Sequence, residues 1–433
     1  MAQLLRSPKN GCNGLLHPDS NGNGAAINRL YNNPLTAVVV GLVTILLIAR
    51  IVFILPERSS RDDFAHYYIA SQIYLSGQNP YAKNLVPFYK TYGFVYDGET
   101  GTVTSPNPPP FFFLFAPVAM LAPNQAFYAW LSIEFFCLVF ILWSTRWLLK
   151  EDLSTRGWLF LCAAVVGSQW IYGHFFHSQV GLLLVAVVQA ALCLNKLEKY
   201  TNACVLIALA GLIKIFPFVL LPWFLFREKE KYRFNARRII INAAFIFLLV
   251  IITGIQNWID YYNFSFRYLL HGSFGIGYNY SLPSFIVNLV YAAYEFKPPQ
   301  EIVQVWPRIG AASGLIVLAI CYPLSFWRLE DRDTEFCFLI SAMLLSGART
   351  LGHYFVFLIF PIAVAIAKTS QTTSKRHFLI LVLIFLALNL HDLRAISFLF
   401  INRYVFLLFN YIPLYGLIAL TVYYIKINLS SPD

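Results

Sequence analysis

The sequence predicts an all-α, polytopic membrane protein of about twelve transmembrane helices, with re-entrant or interfacial helices in its first outer loop. Three observations carry this. Of 433 residues, 58% are hydrophobic and only 12% charged, where a soluble domain carries about 25% charged residues. The mean hydropathy is +0.61, and the apolar runs reach the length of a bilayer core. Lys and Arg recur on alternate sides of those runs, as the positive-inside rule requires. The net charge of +11 would suggest nucleic acid in a soluble protein. Here basic inner loops account for it, so the expected partner is the lipid bilayer and no nucleic acid. Cys137, Cys162, Cys193, Cys204, Cys321 and Cys337 fall inside apolar runs and Cys12 lies in the N-terminal tail. No pair sits in an outer loop, so no disulfide framework is expected.

Residues 1–34, polar and rich in Gly and Asn (NGCNGLLHPDSNGNG), read as a disordered cytoplasmic tail. Leu35–Leu55 is the first span; it starts too late and runs too long for a cleaved signal peptide and should stay as an anchor. Pro56–Gln125 holds no simple span. It contains an amphipathic stretch, Asp62–Ser76, closed by Gly77, and a short apolar piece, Pro110–Leu121 (PFFFLFAPVAML). Counting the latter as a crossing reverses the side of several later basic loops, so it reads as re-entrant or interfacial. Ala126–Leu149 is the second span and leads to Arg146, Lys150 and Arg156; Gly157–Tyr172 and Ser178–Leu194 follow, then Lys196 and Lys199.

The block Ala203–Phe226 carries Lys214 and Pro217 in its middle. A lysine at the bilayer centre costs at least ~2.5 kcal/mol. The loops on both sides are basic, the second being Arg227–Arg238 (REKEKYRFNARR). The block must therefore cross twice, as two short helices hinged at Lys214–Pro217 towards the outer face. Arg238–Gly254 is the next span, and Ile255–Glu301 the second long outer loop. Ile302–Phe326, Phe336–Leu345, His353–Ala367, Phe378–Leu390 and Tyr404–Ile425 complete the set, with a short outer turn at Ser346–Gly352 and both termini inside. The expected organisation is one transmembrane domain, 35–426, with outer loops 56–125 and 255–301 carrying the site, and a short tail, 427–433.

Sorted this way, Asp62, Asp63, His66, His174, His177, Gln179, Lys214, His353 and His391 all fall on the side with fewer Lys and Arg. A channel or anchor needs no such gathering; an enzyme working on a membrane-embedded substrate does. In SSRDDFAHYYIASQIYLSGQNPY, a helix starting at Asp63 aligns Asp63, Tyr67, Ala70 and Tyr74 on one face. Asp63 can serve as a general base towards an acceptor hydroxyl; either aspartate can equally cap the helix. Lys214 suits a phosphate ester as a point charge, or it snorkels without a ligand. Arg349 is a second phosphate contact or a headgroup anchor. His353 stands at the start of a span, as an interfacial anchor or as a group orienting substrate. His174 and His177 flank a tight turn, and no third ligand near them suggests a metal. Gln179 and Asn279 read as neutral hydrogen-bonders to sugar hydroxyls or phosphate. HGSFGIGYNYS lacks the strand-to-helix setting of a nucleotide loop and reads as a flexible outer loop. No soluble segment is large enough to bind a nucleotide sugar, so a sugar donor here would be carried on lipid.

The pattern DFxxYYxA followed by SGQNPY resembles the opening loop of glycosyltransferase family 87, polytopic GT-C-type transferases that use polyprenyl-phosphate sugars and include α-1,2-mannosyltransferases. In order, SPNPPPFFFLFAPVAMLAP, HSQVGLLLVAVVQAAL (Ser178 where glycine is usual), LAGLIKIFPFVLLPWFL, NYSLPSFI and SGARTLGHYFVFLIFP resemble its later motifs, over about residues 37–368. The proline and tryptophan often seen before the last histidine are absent, which bears on sugar specificity. The resemblance implies a GT-C-like fold, with Asp63 matching the catalytic aspartate and His353 the active-site histidine. It implies transfer of a hexose, mannose foremost, from a polyprenyl-phosphate donor to a glycan or glycolipid acceptor on the periplasmic face of an inner membrane; inversion is expected because one base and a departing phosphate suffice for a single displacement. Tyr67, His177, Gln179, Lys214, Asn279 and Arg349 would bind substrate, with no metal and no cofactor. The rival is a transporter or flippase of lipid-linked sugars, which would use the same cavity without chemistry; transporters often show internal repeats, and the two halves share no motif.

Overall fold

The computed structural model describes residues 45, 49, 63–82, 84–95, 105–150, 152–228, 231–266, 279–329, 331–372, 375–390 and 402–429. Of the described residues, 81% are helical. The N-terminal tail, all but two residues of the first expected span, Asp62, most of the glycine-rich stretch before Asn279, His391 and the C-terminal end lie outside the described residues.

The described parts of the expected first outer loop are mostly helical. α1 (Asp63–Leu75) is buried on nearly every side, so it is an inner element and not a surface helix. α2 (Val86–Thr91) starts on Pro87, and α3 (Pro109–Ala119) on the PPP run. Proline suits a first helical turn because its missing N–H is unpaired there anyway. At 11 residues α3 is about 16 Å long, half the ~30 Å of a bilayer core. It packs on α1 through Phe111, Phe112 and Phe115.

α4 (Pro123–Leu148) has 26 residues, about 39 Å, enough to cross. Its flank Tyr128, Phe135, Phe136, Val139 and Trp143 is exposed, as lipid contact demands, while Trp130, Glu134, Leu138 and Ile141 face inward. α5 (Thr155–Val166) and α6 (Gln169–His177) start on Ser154 and Ser168, whose side chains accept backbone N–H bonds. They form one bent unit with a 45° break. α7 (Gly181–Lys196) packs between α4 and α8 (Tyr200–Ile213). After α8 comes a 3₁₀ turn, Phe216–Leu220, and α9 (Leu221–Phe226).

A two-residue hairpin, β1 (Arg227–Glu228) with β2 (Lys231–Tyr232), stands where a plain basic loop was expected. It turns towards α10 (Ala236–Ile252). The second outer loop also differs from expectation. It contains α11 (Ile255–Asp260), a π turn (Tyr261–Phe266) and α12 (Leu282–Ala293). The last is started by Ser281 and Pro283 and was missed because it is shorter than a span. α13 (Gln300–Arg328), α14 (Arg332–Ser346), a 3₁₀ segment (Gly352–Leu358) running into α15 (Ile359–Thr372), α16 (Lys375–Asn389), α17 (Arg403–Asn410) and α18 (Ile412–Leu429) complete the chain.

Among the described residues, three helices are long and apolar enough to cross a membrane: Pro123–Leu148, Gln300–Arg328 and Gly352–Ser370; with each bent pair counted as one span there are up to six. The protein is thus an integral membrane protein by helix length and composition, while several of the twelve expected crossings are helices too short to span alone. α14 is buried all round from Thr334 to Leu345, packed by α13, α15 and α18, which marks the centre of the bundle.

Charges gather at one end of it. Arg227 Nε lies 3.0 Å from Glu335 Oε2, both buried. Arg238 bonds Glu228 at 2.6 Å and the Leu225 carbonyl at 2.7 Å. Lys368 pairs with Asp331 at 3.4 Å.

Candidate active site

α1 places Asp63 in its first turn and Tyr67 one turn later. Asp63 is half-buried and Tyr67 is 2% exposed. Phe111 and Trp130 pack edge-on against the Tyr67 ring, with centroids 5.0 and 6.4 Å away. Its hydroxyl donates to Gln179 Oε1 at 3.1 Å. Burial, then the Asp63 charge, holds the phenol well above its ordinary pKa, so Tyr67 stays a neutral donor. Tyr354 and Glu134 also act electrostatically on this phenol, so α1 meets the later helices here.

Gln179 is presented by the turn between α6 and α7. His174 and His177 belong to the last turn of α6 and do not flank the turn; the break comes at Ser178, in the left-handed region (φ 49°, ψ 47°). That conformation favours glycine. Helix α4 grips the turn twice. Trp130 Nε1 donates to the Ser178 carbonyl at 3.1 Å, and Glu134 Oε2 sits 2.6 Å from His174 Nε2 with both residues buried. A Cβ on Gly181 would stand 3.1 Å from His174 Nδ1 and 3.3 Å from Val356 Cγ2, so glycine lets the imidazole lie against the start of α7. An acid placed mid-span costs about 2.5–3.5 kcal/mol or more without a partner; His174 is that partner.

Lys214 follows α8 in an extended conformation (φ −154°, ψ 125°), at the expected hinge. The chain can fold back because residue 211 is glycine: a Cβ there would come within 2.5 Å of the Phe218 ring. Lys214 Nζ lies 4.7 Å from the centroid of Tyr354, and no described carboxylate is within ion-pair distance of it. The Tyr354 ring is also packed by Phe216, 5.3 Å away. His353 is 6% exposed; its ring centroid is 5.7 Å from that of His177. His177, Lys214, His174 and Arg349 all lie within electrostatic reach of it. Its Nε2 is buried with no hydrogen-bond partner among the described residues, and such an orphan needs an explanation.

Asn279 has a scaffolding role that its sequence position did not suggest. Its Oδ1 accepts from Thr350 N at 2.8 Å, and its Nδ2 donates to the Ala348 carbonyl at 2.8 Å. Tyr280 N donates to Thr350 O at 2.7 Å. These bonds hold the 348–351 turn, which presents Arg349, exposed, and His353. A second tie joins the two outer segments: Asn79 Nδ2 donates to Asp260 Oδ2 at 2.5 Å.

The structure therefore brings together Asp63, Tyr67, His177, Gln179, Lys214, Arg349 and His353 at one end of the bundle. Asn279 stands behind them as support. Sequence reading passed over Glu134 and Tyr354. Glu134 had a signal, being a carboxylate inside the apolar run Ala126–Leu149; Tyr354 had none beyond its place beside His353. The assembled groups suit a reaction that takes a proton from a hydroxyl and releases an anion: a carboxylate, a lysine and an arginine for negative charge, and neutral hydrogen-bonders for a polar substrate.

A family model described as glycosyltransferase family 87 matches residues 106–361, more than half of the chain. The matched stretch contains Glu134, His174, His177, Gln179, Lys214, Asn279, Arg349 and His353, while Asp63 and Tyr67 precede it. Comparison with curated proteins and with solved structures returns no match.

Proposed function

Because the chain belongs to glycosyltransferase family 87, we propose that it transfers a hexose, mannose foremost, from a polyprenyl monophosphate to a glycan or glycolipid acceptor. The observation that carries this reading is the convergence of the Asp63–Tyr67 helix face with Lys214 and His353, groups up to 290 positions apart.

Asp63 takes the proton of the acceptor hydroxyl. The freed oxygen attacks the anomeric carbon, and the bond from that carbon to the phosphate oxygen breaks with its electron pair leaving on the phosphate. One displacement inverts the centre. Lys214 and Arg349 neutralise the departing phosphate. His353 bonds substrate through its orphan Nε2, with His177, Gln179 and Tyr67 around the sugar. Asn279 positions the Arg349–His353 turn.

The reading includes a GT-C-like bundle, 35–426, of about twelve crossings, with α3 re-entrant and the site on the periplasmic side of an inner membrane. Support for the sidedness comes from the ion-paired basic residues at the other end. The family match favours transfer over transport.

The decisive measurement is radiolabelled transfer from polyprenyl-phosphate mannose by the purified protein in detergent. Asp63→Asn keeps size and hydrogen bonding but accepts no proton, so turnover should fall by about 10²–10⁴ with donor binding retained. Near-normal turnover in Asp63→Asn would move the base elsewhere, to His353 first. No transfer by the unaltered protein from any polyprenyl-phosphate hexose would reject the reading.

A further inference from the structure

We propose that Glu134 and His174 act as a buried positioning pair for this site, fixing the turn that presents His177 and Gln179. The inference rests on the transfer reading above for its kinetic consequences, but its geometry stands alone.

Trp130 and Glu134 are one helical turn apart on α4, so they share a face. That face holds the segment 174–178 at two points: Trp130 at the Ser178 carbonyl and Glu134 at the His174 ring. The two contacts are not alike. Trp130 bonds a backbone oxygen and fixes height. The short bond from Glu134 fixes the rotation of the ring and, with it, the last turn of α6. His177 lies three residues on, near the same face of that helix. Gln179 N is bonded to the His174 carbonyl at 3.2 Å, so the amide that accepts from Tyr67 starts from the residue that Glu134 holds.

Packing does not require this pair. Replacing a buried ion pair by apolar residues of similar volume is often neutral or stabilising. Glu134 and His174 are 1% and 0% exposed; the Glu134 carboxylate also faces the backbone N–H groups of Leu182 and Leu183 at the start of α7, and His174 Nδ1 has no hydrogen-bond partner among the described residues. A costly buried acid that ties α4 to the end of α6 and to the start of α7 is explained by orientation of the turn between them. Misplacing a substrate-facing group by about 1 Å can cost about 10²-fold in rate.

The test compares the unaltered protein, Glu134→Gln and the double variant Glu134→Leu with His174→Leu. A neutral Gln can still accept from His174, whereas the double variant keeps packing and removes the bond. Expected results are turnover in Glu134→Gln within about tenfold of the unaltered protein, and a fall of about 10²-fold in kcat for the double variant, with a cooperative melt retained and the donor KM raised as His177 and Gln179 loosen. Amide hydrogen exchange across residues 174–182 should quicken in the double variant alone. Unaltered kcat in the double variant would overturn the proposal. So would a Glu134→Gln enzyme as slow as the double variant, since the charge and not the orientation would then matter. If the unaltered protein transfers no sugar, the functional reading fails and the exchange measurement decides for the pair: equal exchange in all three proteins would reject it.

Discussion

Lys214→Met is the perturbation whose size can be worked most directly. Methionine keeps the length and apolar stem of the side chain and removes the charge. In the structure Nζ lies 4.7 Å above Tyr354 with no described carboxylate in ion-pair range. The loss to folding is therefore one cation–π contact, about 0.5–1 kcal/mol for a partly exposed site. The loss to a bound phosphate is a hydrogen bond to a charged group, about 1.5–3 kcal/mol. At 1.4 kcal/mol per factor of ten, the donor KM should rise about 10- to 150-fold, well beyond what the folding loss can explain. The assay is initial-rate transfer over a range of polyprenyl-phosphate sugar concentrations in mixed micelles, beside a thermal melt. Lys214→Arg, which keeps the charge, should recover part of the loss. A donor KM unchanged in Lys214→Met, in a protein that melts normally, would remove Lys214 from the phosphate site and leave it as a snorkelling residue at a hinge.

Three further outcomes are expected. Ser178→Gly relieves the left-handed backbone at φ 49° and should stabilise the protein by about 1 kcal/mol, seen as a higher melting temperature; a lower one would mean the serine side chain contributes more than the strain costs. Arg227→Met leaves buried Glu335 without its ion-pair partner at 3.0 Å and should destabilise by about 3–5 kcal/mol, while any surviving folded protein keeps its donor KM because the pair lies at the end of the bundle away from Lys214. Cysteines placed at Lys297 and at Lys199, both exposed, should differ towards an impermeant thiol reagent added from outside. Lys297→Cys should react and Lys199→Cys should not; the reverse pattern would invert the assignment of sides.

The sequence by itself determined what local chemistry and solvent dictate. Apolar runs with few charges must face lipid, so a helical membrane protein follows from composition alone. A lysine followed by proline within an apolar block must break a helix, and the chain does break at Lys214. The order of family-like motifs from Pro106 to Pro361 carries the family, and the face shared by Asp63 and Tyr67 follows from helical period. What only the tertiary structure decided are the contacts between segments distant in the chain. Gln179 meets Tyr67 across 112 positions and His174 meets Glu134 across 40, and no local pattern encodes either distance. Asn279 reads in the sequence as a neutral hydrogen-bonder to sugar hydroxyls or phosphate; its hydrogen bonds go to backbone 69 and 71 positions later, since a buried turn must have its own N–H and C=O groups satisfied. The number of crossings is not legible in hydropathy alone for a related reason. Hydropathy reports which residues avoid water, but a helix such as Tyr200–Ile213 can avoid water inside a bundle as well as inside lipid, and only its neighbours distinguish the two.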